Sequence, residues 1–239
     1  MNTYINKGNK ATKNGFGEGV LEAAKINKNV VGIGADITAS VGMNFFADAY
    51  PERFFSLGIA EQNCVAVAAG MALSNKIPVF STYGVFAAHR ACDHIRISVC
   101  YNNLHVVIGG AHAGVSVGPD GATHQALEDI ATMRVLPRMT VISPCDATQA
   151  KIATEKAILE HDGTVYVRFG REPVADFTDE NQNFVIGKGQ IMNEGSDICI
   201  IATGHEVWES LEAARCLEKE GKSVMVVNMH TIKPLDEEL

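Results

Sequence analysis

The chain has 239 residues, 46% of them hydrophobic, which is enough for one large domain or for one domain plus a smaller piece. Its net charge of −8 repels phosphate backbones and argues against a nucleic-acid partner, and no apolar run approaches the ~20 residues of a membrane span. Six cysteines without a CxxC pair indicate neither a zinc site nor a dithiol redox pair, and with the polar start at residues 1–14 they predict a cytoplasmic protein.

Elements in chain order alternate between helix and strand. A polar tail over 1–11 is followed by helical spacing at Gly15–Ile26 and a short apolar strand at Val30–Gly34. Strands are predicted at Arg53–Leu57, Ile77–Thr82, Leu104–Gly110, Thr140–Ser143 and Thr164–Arg168, with helices at Glu61–Ser74, Val85–Val99, Gln125–Met133 and Ala147–Glu160. Six buried apolar strands separated by helices predict an α/β fold, a six-stranded parallel sheet with helices on both faces, over 12–172. Ligands of such sheets bind beyond the carboxyl ends of the strands, so the loops there are the place to look for chemistry. Polar residues 173–185 read as a linker. Beyond it, over 186–239, the pattern predicts a hairpin around Gly187–Gly189, a strand, a helix at His205–Glu220, another strand and a helix start at Pro234. Two long strands bury little core, so this second α/β domain reads as incomplete or in need of cover.

Four clusters fall after predicted strand ends. Glu61 opens a helix of small residues that must be buried almost all round, where a carboxylate is costly unless paired; the plain alternative is a residue favoured by the helix dipole. Tyr83 and Phe86 would stack on a flat ring or simply pack in the core. His112, Asp120 and His124 share one loop rich in Gly and Pro, which suits a pocket for hydroxyl groups and proton movement; a metal site is the other possibility. Arg168 and Arg171 follow the last strand and could grip a phosphate, although Arg168 also reads as a solvated charge. Gly15-Phe16-Gly17-Glu18-Gly19 precedes the first strand and therefore fails as a dinucleotide fingerprint; Asp36 alone could be a cap.

In this order, Ala60-Glu61-Gln62, Ser81-Thr82-Tyr83 and above all Asp120-Gly121-Ala122-Thr123-His124-Gln125 resemble transketolase, from about residue 12 to the chain end. Leu127–Ile130, Met133–Pro137 and Ser143–Ala147 support the likeness. The resemblance implies a thiamin-diphosphate pyrimidine-binding fold followed by a transketolase C-terminal domain. It implies that Glu61 activates the cofactor's aminopyrimidine, that Tyr83 and Phe86 lie against that ring, and that Asp36 lies near the thiamin. It places His112, Asp120 and His124 along the sugar, and Lys13, Ser40 and Arg171 at a distal phosphate. Single-chain members hold the diphosphate through a metal at a Gly-Asp-Gly signature, which is absent here. The resemblance therefore implies a split transketolase. A separate N-terminal subunit would hold the diphosphate and Mg2+ or Ca2+, with no metal ligand on this chain, in a heterotetramer of two copies of each chain acting on sugar phosphates.

Three departures bear on substrate identity: Lys13 stands where an Arg is usual, Pro119 where an acid is common, and His89 where larger members carry a third ring aromatic. Kindred readings are a deoxyxylulose-phosphate-synthase-like subunit, opposed by the Leu127–Asp129 context and the start of the match, and a 2-oxoacid dehydrogenase beta-like subunit, opposed by His124. A non-catalytic interaction subunit is opposed by the joint presence of Glu61, His112, Asp120 and His124, a polar set for which a scaffold has no use.

Overall fold

The computed structural model describes residues 4–239; residues 1–3 of the expected tail lie outside the described residues. Strand β1 (Asn9–Ala11) leads into helix α1 (Thr12–Ile26), then β2 (Val30–Gly34), α2 (Asn44–Ala49), β3 (Phe54–Ser56), α3 (Glu61–Leu73) and β4 (Ile77–Tyr83). An irregular helical stretch follows, with widened turns at Phe86–Arg90 and Ile95–Cys100 joined by the short α4 (Cys92–His94). Next come β5 (Val107–Ala111), α5 (Asp129–Val135), β6 (Met139–Ile142), α6 (Ala147–Leu159) and β7 (Thr164–Arg168).

The six strands expected to be parallel are parallel, in the order β6-β7-β5-β4-β2-β3. Every residue of β2 and β5 is buried, because helices cover both faces of the sheet. Phe16, Val20, Phe46, Ala153 and Ile158 fill one side; Cys64, Val65, Ala87, Ile95 and Met133 fill the other. All six carboxyl ends consequently meet along one edge.

The glycine cluster in α1 acquires a packing role. A methyl group at Gly15 would stand 2.0 Å from the Ala147 carbonyl oxygen of α6, and one at Gly17 would stand 2.1 Å from the Gly42 carbonyl oxygen. The helix therefore lies backbone to backbone against its neighbours, which seats its first turn, with Lys13, against the loop that carries Ser40.

Several local expectations change. The run at 173–185 is anchored rather than loose: β8 (Pro173–Ala175) pairs antiparallel with β1. The buried Asp146 side chain accepts the Phe177 and Thr178 amides at 2.9 and 2.6 Å while also capping α6 through Gln149 N–H. No hairpin forms at Gly187–Gly189; β9 (Gln190–Asn193) pairs instead with β11 (Val224–Asn228), which also pairs with β10 (Ile198–Ala202). Helix α7 (Glu206–Lys219) lies between β10 and β11 in sequence. Pro234 starts no helix. The residues before it form β12 (Thr231–Lys233), which pairs antiparallel with β6 and adds a seventh strand to the large sheet. Helix α3 is not buried all round: Gln62, Asn63, Ala66, Gly70 and Leu73 are exposed along one side. Among the described residues no helix is long and apolar enough to cross a membrane.

Candidate active site

Glu61 is the first residue of α3, just past the end of β3, and is 1% exposed. Its two carboxylate oxygens accept from Arg90 Nη1 at 3.0 and 2.9 Å. Arg90 lies over the face of the Phe86 ring at 4.1 Å. The widened turn makes this possible: the Ala91 amide bonds to the Phe86 carbonyl, five residues back, and this turns the guanidinium toward both the ring and the acid. Arg90 is not among the residues the sequence marks; its local signal is a place four residues after the aromatic Phe86.

Asp36 follows β2 with a positive φ of 62° and accepts from Ser56 Oγ at 2.7 Å, so it bridges the ends of β2 and β3. Both carboxylates act on the buried Cys64. Burial, with the Glu61 charge second and a weaker push from Asp36, raises its thiol to about 11. It is a packing residue rather than a nucleophile.

Tyr83 ends β4, and its ring centroid lies 5.6 Å from Phe86, 4.2 Å from His112 and 5.3 Å from His124; Phe86 is 5.4 Å from His124. A continuous chain of contacts thus runs from Glu61 through Arg90, Phe86 and Tyr83 to both histidines. His112 follows β5 in a left-handed conformation (φ 58°) and is 2% exposed. Its Nε2 is 3.6 Å from Asp120, while its buried Nδ1 has no hydrogen-bond partner among the described residues. Burial pulls its imidazole down to about 4 against the opposing effect of Asp120, so the ring is neutral at neutral pH. A neutral ring can donate from one nitrogen and accept at the other. His124 accepts from or donates to Thr123 Oγ1 at 2.9 Å. Pro119 is the middle residue of the one-turn helix Gly118–Asp120, which brings Asp120 toward His112.

Arg171 is held by the Val117 carbonyl at 2.7 Å and by Asp120 at 3.1 Å. It shares one cluster with Asp120. Lys13 contributes positive charge felt at His112 and has no carboxylate within 4.0 Å among the described residues. Ser40 lies in the loop whose Gly42 would meet the Lys13 carbonyl if it carried a Cβ. Two residues fall outside the cluster. His89 faces Glu128 at 3.4 Å, and Arg168 is no solvated charge: its Nε donates to the fully buried Asp129 at 2.8 Å. Beside the site a cleft of about 570 Å³ opens between residues 113–116, 168–170, 172–175 and the start of α7. No group of three or more His, Cys, Asp or Glu side chains able to hold a metal occurs among the described residues.

The family profile described as transketolase, pyrimidine binding domain, matches residues 9–176, and the transketolase C-terminal domain profile matches 187–239. The chain belongs to the transketolase family. It is 44% identical to a putative transketolase C-terminal section of Methanocaldococcus jannaschii, over 96% of this chain and 73% of that one. It is 40% identical to a 6-deoxy-6-sulfo-D-fructose transketolase subunit of Clostridium sp., over 92% and 68%. A solved structure described as a split gene transketolase, inactive beta4 tetramer, superposes with a TM-score of 0.88 at 44% identity, covering 97% of this chain and 75% of the other.

Two consequences of this geometry can be measured directly. Arg90 is the only side-chain hydrogen-bond donor to Glu61 among the described residues. Arg90→Met is expected to lower stability by about 1–3 kcal/mol, because it strands a buried carboxylate. Adding Glu61→Gln should recover part of that loss in a denaturation cycle; strictly additive losses would contradict the pairing.

Three histidines, His112, His205 and His230, are pulled from the ordinary 6.5 to about 4, in each case chiefly by burial. Between those two values the unfolded chain binds more protons than the folded one, so stability falls as pH drops through this window. Thermal melts should show a midpoint that declines from about pH 6.5 toward about pH 4. A midpoint that stays level across the window would contradict burial of the neutral rings.

Proposed function

We propose that this chain is the pyrimidine-binding subunit of a two-chain transketolase, moving a two-carbon ketol unit from a ketose to an aldose with thiamin diphosphate. The observation that carries the reading is the buried Glu61 carboxylate, joined by unbroken contacts to an aromatic pair and to a loop with two histidines and an aspartate. The residues suit the cofactor. A buried acid can accept an N–H from a heterocycle, the rings of Tyr83 and Phe86 can lie against it, and His112 keeps a buried ring nitrogen unpaired among the described residues.

When bound, thiamin diphosphate supplies the electron sink for carbon–carbon bond cleavage and formation. Glu61 holds a proton at the ring, shielded from water by its burial. Tyr83 and Phe86 orient the ring, and Asp36 lies near the thiamin. His112, neutral at working pH, and His124 bond sugar hydroxyls and pass protons at their ring nitrogens. Asp120 accepts from a hydroxyl and keeps Arg171 in place. Lys13, without a carboxylate partner among the described residues and set beside the Ser40 loop, takes a distal anionic group as a point charge. The relative that acts on a sulfo sugar supports reading that group as an anion, phosphate or sulfonate.

A separate N-terminal subunit holds the diphosphate and Mg2+ or Ca2+, in a heterotetramer with cofactors between chains. The relative described as an inactive beta4 tetramer supports this, since its beta chains assemble without activity. So do Ile59 and Leu73, 74% and 72% exposed on either side of Glu61 along the chain. The test is reconstitution with the partner chain, thiamin diphosphate, Mg2+, a ketose phosphate donor and an aldose phosphate acceptor, following two-carbon transfer by mass spectrometry. Transfer should require both chains. Ketol transfer by this chain alone, or its tight metal-dependent binding of thiamin diphosphate, would sink the two-chain reading.

A further inference from the structure

We propose that Asp129, Tyr166 and Arg168 form a buried clamp that positions the loop carrying His112, Asp120 and His124, together with the turn after Tyr83. Its kinetic part rests on the function proposed above; its geometric part does not.

Asp129 and Tyr166 are fully buried. Asp129 Oδ2 accepts from Tyr166 Oη at 2.9 Å and from Arg168 Nε at 2.8 Å, while Oδ1 has no partner among the described residues. A buried ion pair of this kind adds little net stability over an apolar core of the same shape, so its use is better sought in geometry. Three connections supply that use. Arg168 Nη2 donates to the Ala126 carbonyl at 3.3 Å, and the same carbonyl accepts the Gly114 amide at 2.9 Å. The Ala113 amide donates to the Phe169 carbonyl at 3.1 Å, and Ala113 bridges Ala126. Both ends of the loop are thus pinned within two residues of His112 and His124. The Tyr166 hydroxyl lies so close under Gly110 and Gly84 that a methyl group there would stand 2.0 and 3.0 Å from it; Gly84 also faces Ala126. The segments after β4, β5 and β7 therefore rest on one hydrogen-bonded floor. Burial, aided by the Asp129 charge, keeps the Tyr166 phenol far above its usual range, so it remains a donor.

Asp129→Ala would strand two donors and endanger folding, so Tyr166→Phe and Arg168→Lys carry the test. Both preserve bulk, and circular dichroism verifies the fold. In the isolated chain, labelled with 15N-histidine, the His112 and His124 ring signals should shift or broaden while those of His230 stay. In the reconstituted enzyme KM for the sugar should rise and turnover should fall, together lowering kcat/KM about 10- to 100-fold. Unmoved ring signals, or an unchanged kcat/KM in an active enzyme, overturn the clamp. Because the ring signals need neither cofactor nor substrate, the two readings fail separately. Moved signals in a chain whose wild-type complex transfers no ketol unit would support the clamp and sink the function.

Discussion

Glu61→Gln in the reconstituted enzyme is expected to lower turnover by about 10²- to 10⁴-fold while the chain keeps its fold. The substitution preserves shape, and the amide oxygen still accepts from Arg90, so the buried end of α3 loses no volume and keeps one bond to its partner. What it removes is the capacity to hold a proton at a water-free position beside Phe86 and Arg90. Steady-state kinetics at saturating cofactor isolate that loss, since a defect confined to binding would vanish there. Unfolding curves run alongside separate chemistry from stability. Turnover within a few-fold of the parent would remove Glu61 from the mechanism and with it the observation that carries the function.

Gly15→Ala is expected to destabilise the chain although it improves helix propensity. On propensity alone Ala in place of Gly gains about 1 kcal/mol inside a helix. Here the new methyl group would meet the Ala147 carbonyl oxygen at 2.0 Å, and both atoms belong to helix backbones that cannot rotate away. Overpacking of this kind costs about 1–3 kcal/mol or more, so the net sign is a loss and α1 is forced from α6. Gly70→Ala is the control. Gly70 is exposed on α3 with nothing within 4 Å of an added Cβ, so there the same substitution should raise stability by up to about 1 kcal/mol. For a chain of this size each kcal/mol moves the melting midpoint by about 2–4 °C, well within reach of calorimetry. A neutral or stabilising Gly15→Ala would mean that α1 and α6 are not in backbone contact.

The amino-acid sequence alone determines the parallel sheet and the edge where chemistry sits. Continuous apolar runs such as Val30–Gly34 and Val107–Ala111 need cover on both faces, and the polar clusters follow the ends of the same runs. It also marks Glu61 as a carboxylate needing a partner, since the helix after it is apolar. It does not name that partner. Arg90 lies 29 residues away, and only the widened turn at Phe86–Arg90, which no local pattern announces, brings it back over the acid.

Other relations cross larger spans. Arg168 finds Asp129 at 39 residues' distance, Arg171 finds Asp120 at 51, and β12 crosses from the second domain to pair with β6. Hydrophobic periodicity is a local property and is legible one segment at a time. Which charge neutralises which, and which glycine must make room for a neighbour's backbone, depends on atoms that meet only after the layers have packed.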